Sequence, residues 1–151
     1  KVVPMINPDG VICGNYRSSL AGNDLNRQFT CPDLILHPTV SAIKELIEAI
    51  HNTTKQQVLC YVDMHAHSRH KNVFMYGPAY PLHNDKYLKI RLMPKMMSEK
   101  TEMFRYHSCK FRIERTKKKA ARLAIWKEYG IYNCFTMEAS FYGYLDKERK
   151  T

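Results

Sequence analysis

The pattern of apolar and polar positions along the chain predicts strands that alternate with helices. Continuous or alternating apolar runs favour strands, whereas apolar residues three and four positions apart favour helices. The predicted strands are Val2–Ile6, Val58–His65, Val73–Tyr76, Arg105–Ile113 and Tyr132–Phe141, and the predicted helices are Pro38–His51, Asp85 to about Lys100 and Lys117–Tyr129. This alternation predicts a single α/β domain with a mostly parallel sheet.

Residues typical of turns and helix ends set the boundaries of these elements. The turn at Pro8-Asp9-Gly10 ends the first strand, and a long loop follows to about Leu36. Thr39 is a predicted N-cap and Gly130 a predicted C-cap. Pro94 predicts an interruption of the second helix, because proline lacks the N–H of a helical hydrogen bond.

The composition is typical of a globular domain in a reducing compartment. The chain has 151 residues, of which 44% are hydrophobic, enough for one domain with a core. No apolar run approaches the roughly 18 residues of a membrane span, and no signal peptide opens the chain. The five cysteines show no Cys-x-x-Cys spacing, which favours the cytosol. Because the chain begins at Lys1 within a predicted strand, we expect a piece of a longer protein.

The net charge of +10 is concentrated in one stretch of the sequence. Between Arg105 and Lys127 there are nine Lys or Arg residues and one acid, Glu114. Such a stretch is either a solvated face or a field that attracts an acidic partner. It contains few stacking groups, Phe111 and Trp126 among them, and no nucleic-acid-binding signature, which argues against nucleic acid as the partner.

A turn-rich loop near the start carries groups that suit a carboxylate. Its motifs are Asn7-Pro8-Asp9-Gly10, Gly14-Asn15-Tyr16-Arg17 and Asp24-Leu25-Asn26-Arg27. An Arg guanidinium matches a carboxylate bidentately, and an Asn amide adds a further donor. A free peptide C-terminus is the commonest carboxylate that such a loop would meet.

Two later predicted strands carry polar side chains that could bind a metal or take part in a reaction. Strand alternation places Asp63, His65 and His67 on one face, and a strand-borne His-x-His is a credible metal pair. Glu138 is a single carboxylate in an apolar strand, which makes it a structural salt-bridge partner or a working group.

With these three motifs in this order, the chain resembles the cytosolic carboxypeptidase branch of the zinc metallocarboxypeptidases. The resemblance covers Lys1 to about Tyr142. It implies a three-layer α/β/α fold around a mixed, mostly parallel sheet. It also implies a Zn²⁺ cofactor and removal of C-terminal or branch glutamates from acidic protein tails, with tubulin as the leading substrate. The implied location is the cytoplasm, with microtubules or cilia as sites of association.

The resemblance also implies which residue binds the metal. His65 corresponds to the family's last zinc ligand, and His67 belongs to the same motif without being a ligand. The other two ligands belong to an upstream His-x-x-Glu motif, and none of the seven histidines here has a Glu three residues later. We therefore expect residues 1–151 to supply one zinc ligand of three and to be inactive alone.

Five further residues acquire roles through the same resemblance. Glu138 corresponds to the general base, which burial would suit by raising its pKa. Arg17 corresponds to the oxyanion-stabilising arginine, and Asn26 and Arg27 to the clamp for the terminal carboxylate. Asp24 corresponds to the acid that orients an upstream zinc histidine.

The chain departs from the family pattern at three places. Ala66 replaces a glycine between the two histidines, and Lys118-Lys119-Ala120-Ala121-Arg122 replaces a glycine-rich loop. Arg122 is a candidate for recognising a glutamate side chain. The family's catalytic tyrosine has no counterpart between Tyr106 and Tyr129.

Two alternatives to the enzyme stay open from the sequence. The first is an inactive relative that binds acidic tails through the basic segment Arg105–Lys127. The second is an unrelated metal-binding protein that uses His65, His67 and His70, although this spacing does not share one strand face.

Overall fold

The centre of the fold is a three-stranded sheet whose middle strand comes last in the chain. The computed structural model describes residues 1–53 and 58–145. The strands are β1 (Tyr61–His67), β2 (Val73–Tyr76) and β3 (Cys134–Ser140), in the order β1-β3-β2. β3 is parallel to β1 and antiparallel to β2. The predicted α/β class with a mixed sheet is confirmed.

In the described part of the chain, four α-helices and three short 3₁₀ turns surround this sheet. The helices are α1 (Pro8–Ile12), α2 (Pro38–Thr53), α3 (Lys86–Lys100) and α4 (Ala121–Tyr129), and the 3₁₀ turns are Leu25–Arg27, Tyr106–Ser108 and Arg115–Lys117. Among the helices of residues 1–53 and 58–145, none combines the length and the hydropathy of a membrane span.

The sheet separates two hydrophobic clusters, because successive residues of β3 face opposite sides. Cys134 packs in a cluster with residues of α2 and α4, including Val40 and Ile125. Phe135 packs in the other cluster, against which Met93 of α3 lies. Helices thus cover both faces of the sheet, as the three-layer expectation requires.

Most predicted helices and strands lie within a few residues of their observed positions. Gly130 ends α4 in the left-handed conformation with φ of 68°, as a C-cap glycine should. α4 begins at Ala121, four residues later than predicted, because residues Arg115–Lys117 form a separate 3₁₀ turn.

Four predicted features of secondary structure are wrong. Thr39 is not the N-cap of α2, because the helix already includes Pro38. Val2–Ile6 forms no strand, and Val2 is 89% exposed, because none of the three described strands pairs with this segment. Arg105–Ile113 forms no strand, because the 3₁₀ turn Tyr106–Ser108 separates two isolated bridges to β2, from Phe104 to Val73 and from Lys110 to Tyr76. α3 continues through Pro94 without a break: proline removes a single hydrogen bond, and its buried ring packs in the core.

Candidate active site

The candidate catalytic groups lie side by side on one face at the carboxyl ends of β1 and β3. In the parallel register, His65 is the partner of Glu138 and Asp63 is the partner of Thr136. Since side chains alternate along a strand, these four groups and His67 share the face that also carries the α2 and α4 cluster. The sheet thereby brings two of the three sequence motifs together.

A cavity of about 260 Å³ opens over these groups, and residues of the first motif also line it. Its lining residues are Tyr16, Arg17, Asn26, Arg27, His65, Ala66, His67, Ser68, Arg69, Tyr76, Lys117, Ala120, Arg122, Thr136 and Glu138. Among these residues five are Arg or Lys and Glu138 is the one carboxylate. The cavity is therefore suited to an anionic ligand.

Asn26 joins the loop, the sheet and α4 through both ends of its amide. Its Oδ1 accepts from the backbone N–H of Ala121 at 2.7 Å, which caps the first turn of α4 and fixes the orientation of the amide. Its Nδ2 then faces Asp63 Oδ2 at 3.0 Å and His65 Nε2 at 2.8 Å. The predicted clamp residue thus also positions the strand groups.

His65 has the hydrogen bonding of a metal ligand, with one ring nitrogen held and the other available. Both of its polar partners in the described part of the chain, Asp63 Oδ2 and Asn26 Nδ2, lie 2.8 Å from Nε2, which leaves Nδ1 for a ligand. Burial alone would lower the pKa of His65, but the hydrogen bond to Asp63 and the charges of Asp63 and Glu138 together raise it.

The described residues do not complete a metal site around His65. In residues 1–53 and 58–145, no group of three or more His, Cys, Asp and Glu side chains could hold a metal ion. This finding argues against the three-histidine alternative. The hydrogen bonds of His67 argue against it as well, because its Nδ1 atom already accepts the backbone N–H groups of Arg69 and His70 at 2.9 and 3.0 Å.

Glu138 occupies an environment that disfavours its charge. Burial raises the pKa of its carboxyl above the ordinary value of 4.5, and the charges of His65, Lys117 and Arg17 oppose that shift. The expected direction of the shift therefore agrees with the structure. A carboxylate with a raised pKa is a better proton acceptor.

Asp24 organises the two arginines of the loop. Its carboxylate accepts from Arg17 Nε at 2.6 Å and from the backbone N–H of Asn26 at 3.0 Å, which caps the 3₁₀ turn Leu25–Arg27. Arg27 lies farther from it, at 4.0 Å, and donates otherwise to the carbonyl of Asn26. The Arg27 guanidinium therefore keeps most of its donors for a ligand.

Arg122 is the most deeply buried cation of the cavity, with 3% of its surface exposed. Its Nη1 donates to Thr136 Oγ1 at 3.3 Å, and its Nε has no hydrogen-bond partner within the part of the chain that the structure describes. Burial lowers the pKa of Arg122, and the charge of Asp63 opposes that effect. A buried guanidinium with an unpaired donor is prepared for an anionic partner.

Tyr76 is a cavity residue that the sequence analysis missed. It is 8% exposed, and three cations surround its ring, Lys117 at 4.6 Å, Arg122 at 5.7 Å and Lys110 at 5.9 Å from the centroid. Its own segment carries no signal for this position, because the antiparallel register that places Tyr76 beside Thr136 depends on strand pairing.

Comparison with known proteins identifies relatives of one kind. No protein-family model matches the chain. The chain is 45% identical over 145 residues to cytosolic carboxypeptidase 3 of Bos taurus and 41% identical over 157 residues to cytosolic carboxypeptidase 1 of Danio rerio. Each match covers 95% of this chain but only 14% and 13% of the respective relative. The chain thus spans about one seventh of the length of these curated relatives.

The fold has a counterpart among solved structures. A metallo-carboxypeptidase from Burkholderia cenocepacia superposes with a TM-score of 0.75 and 26% identity, over 92% of this chain and 35% of that protein. A metallo-carboxypeptidase from Pseudomonas aeruginosa, 23% identical, shares the fold with a TM-score of 0.74. The resemblance inferred from three short motifs is confirmed: over the segment that it spans, the chain belongs to the cytosolic carboxypeptidase family.

Proposed function

We propose that the full-length protein is a metallocarboxypeptidase that removes glutamates from the C-termini or branches of acidic protein tails. The observation that carries this proposal is the cavity beside His65 and Glu138, in which five cations face one carboxylate. A peptidase that acts on acidic tails needs such a positive cavity around its proton acceptor.

The chain's own side chains divide the work of this reaction. Arg27, with Asn26 beside it, binds the terminal carboxylate of the substrate, since its donors are mostly free. Arg17 stabilises the oxyanion that forms when water attacks the scissile carbonyl. Glu138 takes a proton from that water and delivers it to the leaving amine.

Zinc is the metal that the family resemblance implies, and His65 would contribute one ligand through Nδ1. Zinc when bound would act as a Lewis acid on the substrate carbonyl. The described residues supply no complete ligand set, so we expect the metal site to need residues outside them.

Titration of the purified 151-residue chain with zinc should therefore show no tight 1:1 site. A single imidazole is too few ligands, because catalytic zinc usually has three protein ligands. The measurement is competition against a chromogenic chelator, with His65→Ala as the matched control, and both proteins should give the same weak curve. Submicromolar binding of one equivalent would show that the metal assignment is wrong.

Arg122 is proposed to bind the side-chain carboxylate of the terminal glutamate. In the full-length protein, Arg122→Met should lower kcat/KM for a peptide ending in Glu by about 10- to 100-fold, the range for a hydrogen bond to a charged group. A peptide ending in Leu should lose much less. Added salt should also weaken capture of the Glu peptide, because the exposed lysines near the cavity are screened over about 8–10 Å.

The matched control is Lys127→Met, which removes an exposed cation from the same helix without touching the cavity. It should leave the preference for Glu over Leu unchanged. A wild-type protein that prefers C-terminal Leu would contradict the acidic specificity while leaving the carboxypeptidase proposal intact.

A binding module for acidic tails is the second candidate, because the same positive cavity would serve it. The position of Glu138 beside His65 favours the enzyme, since a pure anion-binding site gains nothing from a carboxylate. Tubulin as the substrate, and a cytoplasmic location at microtubules or cilia, belong to the same proposal by family analogy.

A further inference from the structure

The cavity has a closed end and an open end. Arg122 and Thr136, each 3% exposed, lie at the closed end, whereas Ser68 and Arg69 at the other end are exposed to solvent. A carboxypeptidase releases a single residue, so under the proposed function, on which this inference rests, that residue occupies the closed end. The remaining chain must then leave through the open end.

His67 lies on the path of that remaining chain. Along β1 and β3, His65 is the register partner of Glu138 and His67 is the partner of Ser140. Two residues of a strand span about 7 Å, so His67 lies about 7 Å beyond the reacting groups toward solvent. The residue that precedes the scissile bond would therefore place its side chain near His67.

Hydrogen bonds fix which nitrogen His67 presents to the cavity. Its Nδ1 accepts the backbone N–H groups of Arg69 and His70, so the ring proton resides on Nε2. The ring also packs against His70 at 5.1 Å and Phe74 at 5.2 Å between centroids. His67 is thus a fixed ring in the cavity wall whose remaining polar atom is an N–H donor.

Arg69 adds a charge beside this donor. Its side chain forms no ion pair with any residue that the structure describes, whereas Lys117, another cation of the cavity lining, is held by Glu114 at 3.0 Å. The open end therefore combines an oriented N–H group with an uncompensated guanidinium, a combination that suits a carboxylate.

We propose that His67 and Arg69 form a second anion subsite, which binds the side-chain carboxylate of the residue before the scissile bond. The enzyme then recognises two consecutive acidic residues rather than one. It should shorten a run of glutamates readily and slow down when the residue before the last glutamate is neutral.

Kinetics of the full-length protein on two matched peptides test this subsite. The peptides have free C-termini and end in Glu-Glu or Gln-Glu, so they differ by one charge in nearly the same shape. Wild-type kcat/KM should be about tenfold higher for Glu-Glu, as expected for one charge-assisted hydrogen bond. Arg69→Gln should bring this ratio close to one, whereas Lys71→Gln, an exposed neighbour outside the cavity, should not change it.

Two variants of His67 separate recognition from turn formation. His67→Asn keeps an acceptor for the N–H groups of Arg69 and His70 but loses the reach of Nε2, whereas His67→Gln keeps the reach. The Glu-Glu preference should survive in His67→Gln and fall in His67→Asn. The opposite order would show that His67 only closes the turn. Equal wild-type rates on both peptides would overturn the subsite alone, and release of glutamate from neither would overturn the proposed function itself.

Discussion

Glu138→Gln should lower turnover of the full-length enzyme by about 10²–10⁴-fold, the usual loss when a positioned general base is removed. The amide keeps the shape of the side chain but cannot accept a proton. Binding should survive, because Arg27 and Asn26 are unchanged, so kcat falls and KM changes little. Steady-state kinetics on a peptide with C-terminal glutamate measure both constants, with the exposed Glu48→Gln as the matched control.

Glu138→Gln should lower turnover, but the same substitution should not lower the stability of the protein. Because burial raises the pKa of Glu138, the protonated carboxyl is favoured in the folded state. That contribution to stability is present below the unfolded pKa and is lost as the pH rises through the folded pKa. At neutral pH, Glu138→Gln should therefore leave Tm unchanged or raise it, and the difference should vanish below the ordinary value of 4.5.

These two readouts together decide the role of Glu138. Near wild-type turnover would remove it from the mechanism. Lost turnover together with a lowered Tm would show that the carboxylate is structural instead.

Arg27→Ala should cripple hydrolysis of peptides that have a free C-terminal carboxylate. Removing one partner of a desolvated charge pair costs about 2–5 kcal/mol, which corresponds to a loss in kcat/KM of about 30- to 4,000-fold. Arg27 is suited to this role because its contact with Asp24 is long, at 4.0 Å. The exposed Arg112→Ala, outside the cavity, is the matched control.

Peptides amidated at the C-terminus distinguish a substrate contact from a structural role. They should be poor substrates of the wild type and should hardly respond to Arg27→Ala, because they lack the charge that Arg27 binds. An equal loss on free and amidated peptides would mean that Arg27 supports the loop and does not contact the substrate.

The sequence predicted those parts of the fold that local physics determines. Gly130 predicted the end of α4 because glycine adopts the left-handed conformation of a C-cap without strain. The spacing of apolar residues predicted the helix that begins at Pro38. The strand predicted at Val2–Ile6 is wrong because local physics alone does not determine a strand. A strand depends on a partner, and periodicity within one segment carries no information about pairing.

The residues of the candidate site were likewise predicted only in part from the sequence. His65 and Glu138 were predicted from short motifs that each lie within a single strand. The parallel register of β1 and β3 then makes the two residues neighbours. The double role of Asn26 was not found, because its contact with Ala121 joins residues 95 positions apart. Tyr76 was missed because nothing in its own segment indicates the three cations that surround its ring.

We propose that this cavity serves the removal of single C-terminal glutamates. Mass spectrometry of a peptide ending in several glutamates, incubated with the full-length protein, tests it most directly. We expect a ladder of products shortened by one glutamate at a time from the free-acid peptide, and no products from its amidated twin. Cleavage within the peptide, equal cleavage of the twin, or capture of the acidic peptide without any release of glutamate would contradict it.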